Sequence, residues 1–373
     1  MTPPRLPGAT LLLALLAPLL ACRPEAAPAR AALGHEAYVW QRLWTPGVSA
    51  AVREAPRELA ALHVLARERS GPERSPVDVA VDLEALVAAG REVVAVLRID
   101  GTSALDEVGL GELAEIARRW AAAGVRVRGL EVDHDCATEK LAAYAAWLER
   151  EKARVPDFRV GLTALPAWSS SPHVARLAAL ADEVVLQVHA VQAPTLFEPR
   201  AARGYAEAWS AATGRPFRLA LPTYRVRLRD GTLLESDPAQ VASLLASLSE
   251  RPVPHLAGVA WFRLGHPGDA ASWSAPTLAA VLRGEPLVPR LETRLVESVP
   301  GAVDLQVANV GTVDARGPQT IALAGSVDFV EGVRGCRGRG PSLVCPAPDL
   351  VRAGESVVVG FARGKELRLA DPH

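Results

Sequence analysis

VRGLEVDHD, residues 127–135, is a β-type run that ends in acids. Side chains alternate across a strand with period two, so Glu131, Asp133 and Asp135 share one face while Leu130 and Val132 share the other. An amphipathic helical pattern, 139–152, follows at once. A strand leading directly into a helix is one βα unit of a parallel sheet covered by helices. Outward from this unit the pattern repeats. β-type runs recur at 37–41, 59–65, 93–99, 159–165, 184–189, 218–221 and 258–262. Helical patterns at 83–89, 109–123, 173–181, 201–213, 238–248 and 275–282 separate most of them, with apolar residues at i, i+3 and i+4, as in Leu113, Ile116, Ala117 and Trp120. Eight such strands predict an α/β fold, a (β/α)₈ TIM-type barrel over 35–285. An open doubly wound sheet would place a glycine-rich phosphate loop after its first strand. The chain has Gln41-Arg42-Leu43-Trp44 there.

The texture changes near Pro286. Short alternating runs at 294–299, 303–307, 320–323 and 356–361 are broken by Gly, Pro and Asn. They predict a small C-terminal all-β domain, a β-sandwich-like accessory unit over 286–373. Cys336 and Cys345 lie nine residues apart in GCRGRGPSLVC and are expected to close a local disulfide. Cys136 is left over, either a buried small residue or a reactive thiol.

At the other end, Leu11–Leu20 is an apolar run too short to span a bilayer, and it reads as the core of a signal peptide over 1–21. It ends in Leu19-Leu20-Ala21-Cys22, which resembles the lipobox of bacterial lipoproteins. Cys22 is then the lipidated residue, the Pro- and Ala-rich stretch 22–34 a tether, and the membrane a partner through this lipid anchor. The expected location is the bacterial cell envelope, at the outer membrane if the host is Gram-negative.

With 49% apolar and 22% charged residues, the chain can bury a large core. Lys plus Arg (41) nearly balance Asp plus Glu (42), and no basic patch is visible, so nucleic acid is not an expected partner.

In a barrel, chemistry sits at the C-terminal strand ends. The chain has Trp40 and Arg42 after the first strand, Asp100 after the third, Glu131, Asp133 and Asp135 on the fourth, and Trp168 after the fifth. Gln187 and His189 end the sixth, Tyr224 follows the seventh, and Trp261 ends the eighth. Three acids on one buried face cannot all ionise normally, and a carboxyl kept protonated near neutrality can serve as a general acid. The structural alternative is an acid cluster neutralised by Arg98 or Arg42, or a cation site. Indoles at strand ends (Trp40, Trp44, Trp168, Trp261) can stack on sugar rings, whereas Trp120, Trp147 and Trp209 lie in helices and suit packing. A metal site from Asp133, Asp135 and His189 has no supporting His spacing, so no metal or other cofactor is expected. A serine triad lacks its G-x-S-x-G elbow.

The blocks GLEVDHDCAT (129–138), VWQRLWTP (39–46), LTALPAW (162–168) and LQVHA (186–190) together resemble a bacterial family catalogued as domain of unknown function 3142. More distantly, Gly129-x-Glu131-x-Asp133-x-Asp135 is similar to the G-x-D-x-D-x-E signature of chitinase-like, family-18 glycoside hydrolases. That resemblance implies Asp135 as general acid, Asp133 as its supporting carboxylate, Glu131 at the first acidic position and Trp261 as the floor of the sugar site. It departs in Asp for Glu, which shortens the acid, and in Gln187 and His189 where the chitinase-like enzymes have Tyr and Asp. Strand seven has no second carboxylate, so the substrate's own acetamido group would be the nucleophile. The expected function is hydrolysis of an envelope or extracellular glycan by the strand-four acids, with Tyr224, Gln187 and His189 positioning carbohydrate. A non-catalytic saccharide-binding barrel and an envelope structural or assembly lipoprotein are the alternatives.

Overall fold

A computed structural model describes residues 1, 33–71, 75–102, 105, 109–191 and 195–370. The signal peptide, Cys22 and nearly all of the tether lie outside the described residues. Among those described, eight parallel strands close into a barrel: β1 (Gly34–Val39), β2 (Leu59–Arg69), β3 (Glu92–Ile99), β4 (Arg126–His134), β5 (Arg159–Ala164), β6 (Glu183–Gln187), β7 (Phe217–Pro222) and β8 (Leu256–Phe262). Each pairs with the next, and β8 pairs with β1. The expected TIM-type barrel is therefore present.

The helices α1 (Pro46–Arg53), α2 (Leu83–Ala89), α3 (Leu110–Ala122), α4 (Leu141–Lys152), α5 (Val174–Leu180), α6 (Pro199–Thr213), α7 (Pro238–Glu250) and α8 (Ala275–Leu282) connect the strands. Sequence patterning marks no helix between β1 and β2. The structure has α1 there, with Pro46 in the first turn and the Thr45 side chain accepting from Val48 N. Residues such as Leu97, Leu113, Leu130, Val132 and Trp209 fill one continuous core between strands and helices. Among the described residues no helix is long and apolar enough to cross a membrane.

Gly258 is required by what passes over it. A Cβ there would collide with the Arg218 guanidinium and the Gly34 carbonyl. Its bareness lets Arg218 reach into the barrel's base.

Beyond the barrel, β9 (Leu291–Val299), β10 (Ala302–Asn309), β11 (Thr320–Gly332), β12 (Arg337–Arg339), β13 (Ser342–Val344) and β14 (Ser356–Leu369) form an antiparallel sheet in the order β9-β10-β14-β11-β13-β12. Leu305, Val307, Ile321, Leu343, Val359 and Ala362 make its own core. Cys336 and Cys345 are disulfide-bonded, as expected, and both are buried in that core. Replacing both with Ser is expected to lower stability by about 2–4 kcal/mol, read by urea unfolding with and without reductant. An unchanged midpoint for the double variant would show the crosslink to be dispensable.

The sheet is bonded to the barrel's loops. Asp314 accepts from Ser274 N (2.9 Å), Ser274 Oγ (2.6 Å) and Ala353 N (3.0 Å), and its own N–H donates to Thr277 Oγ1 (2.9 Å). Arg316 pairs with Glu235 at 3.1 Å, and Arg352 donates to the Asp269 carbonyl.

Candidate functional site at the C-terminal end of the barrel

The three strand-four acids do face one side. Leu130 and Val132 point into the helix-facing core, and Glu131 and Asp133, 2% and 5% exposed, point into the barrel. Register explains their neighbour. Arg98 on β3 stands opposite Asp133 on β4. Its guanidinium reaches Asp133 Oδ2 at 2.7 Å and Asp135 Oδ2 at 2.8 Å, so one arginine holds both carboxylates. The arginine-neutralised cluster considered from sequence is thus what forms at these two acids. Burial pushes the Asp133 carboxyl up to about 7, Arg98 pulls against it, and the Asp135 charge adds to the rise. Asp133 Oδ1 is buried with no hydrogen-bond partner. Asp135 is farther out, its side chain 32% exposed.

Glu131 has a different role from that expected. It accepts from Tyr38 OH (2.8 Å), His63 Nδ1 (2.8 Å) and Thr163 Oγ1 (3.4 Å). His63 Nε2 meets Glu36 Oε2 at 2.7 Å. Arg128 binds Glu36 at 2.6 Å and Glu183 at 3.0 Å, and Arg218 binds the same two acids. Burial alone would lower the His63 pKa, but Glu131 and Glu36 outweigh it and lift it to about 10. His63 is therefore an imidazolium shared by two carboxylates. Glu131 belongs to this structural network in the barrel's lower half, and every polar atom it could offer a substrate is already engaged.

Above the network lies an aromatic group. Tyr38 and Trp40 of the first strand end are 5.7 Å apart, ring centre to ring centre, and Phe262 sits 5.6 Å and 5.3 Å from them. His189 stacks on Phe262 at 5.2 Å, and Tyr224 meets the edge of both. Trp40, Phe262, Tyr224 and Gln187 are half-buried. Burial drives His189 down to about 3, so its ring is neutral. Its Nδ1 lies 3.3 Å from Tyr224 OH, and its buried Nε2 has no partner. Gln187 donates to the His189 carbonyl at 3.3 Å. The mouth of the barrel thus presents aromatic faces, with Asp133 Oδ1 and His189 Nε2 buried and without a partner.

Four expected contacts are corrected. Trp261 is fully buried on the helix side of β8, donating to His35 Nδ1 at 3.3 Å and packing on Trp273. Phe262 is the residue that faces inward. Trp168 is 1% exposed, with its Nε1 donating to the Cys136 carbonyl at 3.0 Å, so it packs helices against strands and has no face for a sugar. Arg42 is held in a bidentate pair with Glu68. Asp100 folds back to accept from Thr102 N (2.9 Å) and Oγ1 (2.6 Å), shaping the turn after β3. Cys136 is a buried thiol pushed up to about 11 by desolvation, which suits the inert reading. Among the described residues, no group of three or more His, Cys, Asp or Glu side chains is arranged to hold a metal ion.

Sequence reasoning missed Tyr38 and Phe262. Both carry the period-two signal: Tyr38 is in phase with Trp40, and Phe262 is in phase with Ala260, another interior residue.

No curated protein matches the chain. Three solved barrels are similar in fold at low identity. The Bacillus cereus spore cortex-lytic enzyme SleL is 14% identical, with a TM-score of 0.48 over 68% of this chain and 74% of that one. A GH18 chitinase from Pseudoalteromonas aurantia is 13% identical, with a TM-score of 0.44 over 67% and 98%. A chitinase from Bacteroides thetaiotaomicron is 10% identical, with a TM-score of 0.46 over 63% and 90%. Residues 89–233, the part of the chain that holds Asp133, Asp135, Gln187, His189 and Tyr224, match the family described as Domain of unknown function (DUF3142).

Proposed function

We propose that the barrel mouth binds an N-acetylated glycan and hydrolyses a glycosidic bond in it. The observation that carries this reading is Asp133: a carboxyl 5% exposed, lifted by burial to about 7, with one oxygen unbonded. Such a group holds a proton at neutral pH, as acid catalysis needs. Asp135, nearer the rim and joined to Asp133 through Arg98, delivers to the leaving glycosidic oxygen the one proton that the two acids share. The residues after β7 are Thr223 and Tyr224, with no carboxylate to act as nucleophile. The substrate's acetamido oxygen therefore attacks the anomeric carbon as the C–O bond breaks. Water then opens that intermediate and returns a proton to Asp135. Trp40 and Phe262 stack on the sugar, and His189 Nε2 and Tyr224 position it. The N-terminal reading adds attachment to a bacterial envelope through Cys22.

A second reading, saccharide binding without turnover, draws on Arg98: its pairing with both acids must loosen before Asp135 can act. A panel of N-acetylated and unmodified oligosaccharides, scored for binding and for cleavage, separates the two. If the hydrolase reading holds, turnover falls about tenfold per pH unit above about 7, as Asp133 loses its proton. That limb disappears in Asp133→Asn. A flat profile from neutral to alkaline pH in an active enzyme would remove Asp133 from the mechanism, and binding without cleavage would favour the second reading.

A further inference from the structure

Tyr224 has two sets of neighbours. Its ring meets Phe262 and His189 at the barrel mouth, and its hydroxyl lies 3.3 Å from His189 Nδ1. Its backbone forms a single antiparallel bridge with Ser272, in the segment after β8. Trp273 N donates to the Thr223 carbonyl at 2.7 Å, and Arg225 N to the Ala271 carbonyl at 2.8 Å, on either side of that bridge. Packing alone does not fix it. Tyr224, Ser272 and Trp273 border a cavity of about 230 Å³ that they share with Asp314 and Leu350 of the C-terminal domain. Groups beside a void lose packing contacts on that side, so hydrogen bonds carry more of the positioning.

One side chain crosses the junction to this segment. Arg352 Nη2 donates to the Asp269 carbonyl and, at 3.4 Å, to the Ser272 carbonyl. Asp269 orders the rest of the segment, its carboxylate accepting from Ala271 N (2.9 Å), Ser272 Oγ (2.7 Å) and Arg263 Nη2 (3.3 Å). Arg352 itself stands on a fixed base. Val351 before it is buried in the sheet's core and pairs with Ala315, and Ala353 after it donates to Asp314 at 3.0 Å. The guanidinium is a planar donor that is always charged, so it can hold two carbonyls at any physiological pH.

We propose that Arg352 is a positioning residue: through the Asp269 and Ser272 carbonyls, the C-terminal domain sets where Tyr224 stands at the barrel mouth. The consequence for turnover rests on the reading that Tyr224 positions a bound sugar. The first test needs no substrate. It follows the imidazole nitrogens of His189 by NMR, with His189→Gln to identify them. A hydroxyl donating to Nδ1 keeps the ring proton on Nε2. Arg352→Ala should move both nitrogen shifts toward those of Tyr224→Phe, and Arg352→Lys, which keeps a donor, should move them less. The second test measures rates on N-acetylglucosamine oligomers. Arg352→Ala should raise KM about fivefold with kcat little changed, the pattern of a lost contact that ground and transition states share. In a Tyr224→Ala background the same substitution should add nothing, because its route is already gone. If Arg352 only ties the two domains together, Tm falls in Arg352→Ala while the His189 shifts stay in place, and the proposal is overturned. Additive KM effects in the double variant overturn the route through Tyr224. If the unmutated protein neither binds nor cleaves any oligomer, the hydrolase reading falls, and the His189 shifts still decide whether Arg352 positions Tyr224.

Discussion

Asp135→Asn should lower kcat by about 100-fold to 10,000-fold while leaving KM nearly unchanged. The amide has the carboxylate's shape and can still accept from Arg98, which now lies 2.8 Å from Asp135 Oδ2. What it lacks is a proton acidic enough to transfer to the leaving oxygen. A general acid acts on the leaving oxygen only as charge develops there, so its loss appears in turnover and not in ground-state binding. The range quoted is that for removing a positioned proton donor. Initial rates against oligosaccharide concentration, with far-UV circular dichroism as a folding control, make the measurement. Full turnover in Asp135→Asn would mean that another group protonates the leaving oxygen, and Asp133 would be the first to test.

His63→Ala should cost about 3–5 kcal/mol of folding stability. The imidazolium is 1% exposed and lies between Glu36 at 2.7 Å and Glu131 at 2.8 Å. Removing it leaves two buried carboxylates sharing a void, and breaking a buried charge pair from one side carries a penalty of about that size. The pH dependence has a definite sign. His63 is lifted from an ordinary 6.5 to about 10 in the fold. The folded chain therefore holds a proton that the unfolded chain releases above about 6.5. The stabilisation is complete below that value and is lost as pH rises toward 10. Urea midpoints across this window should fall in the unmutated protein and fall less in His63→Gln. The same slope in both would assign the alkaline loss to other groups.

How much of this was legible in the sequence depends on range. Strands and helices follow from local periods, and the barrel's closure follows from counting units. The orientation of the strand-four acids follows from the same rule. Errors arise where that rule was applied in the wrong phase or past its limit. On β8 Trp261 is marked out by its strand-end position and by the resemblance, but Ala260 and Phe262 face inward and Trp261 outward. Trp168 lies in a 3₁₀ turn after β5, where alternation no longer sets direction. Helix α1 opens on Pro46-Gly47, a pair that reads as a turn, which masks the apolar positions Val48 and Val52 behind it. The His63 network joins residues 27 and 68 positions apart. No local pattern links those carboxylates to one ring, so Glu131 reads as a candidate catalyst until its partners are known.

Ser274 caps α8, accepting from Thr277 N at 3.2 Å while its hydroxyl donates to Asp314 across the junction. The last helix of the barrel therefore takes its starting geometry from a loop of the neighbouring sheet. A protein ended at residue 285 would keep all eight barrel strands but would free Ser274 and Thr277 from Asp314, so α8 would be the first part to fray. Any transplant or excision of the barrel would have to carry residues 312–316 with it, or supply another carboxylate in their place.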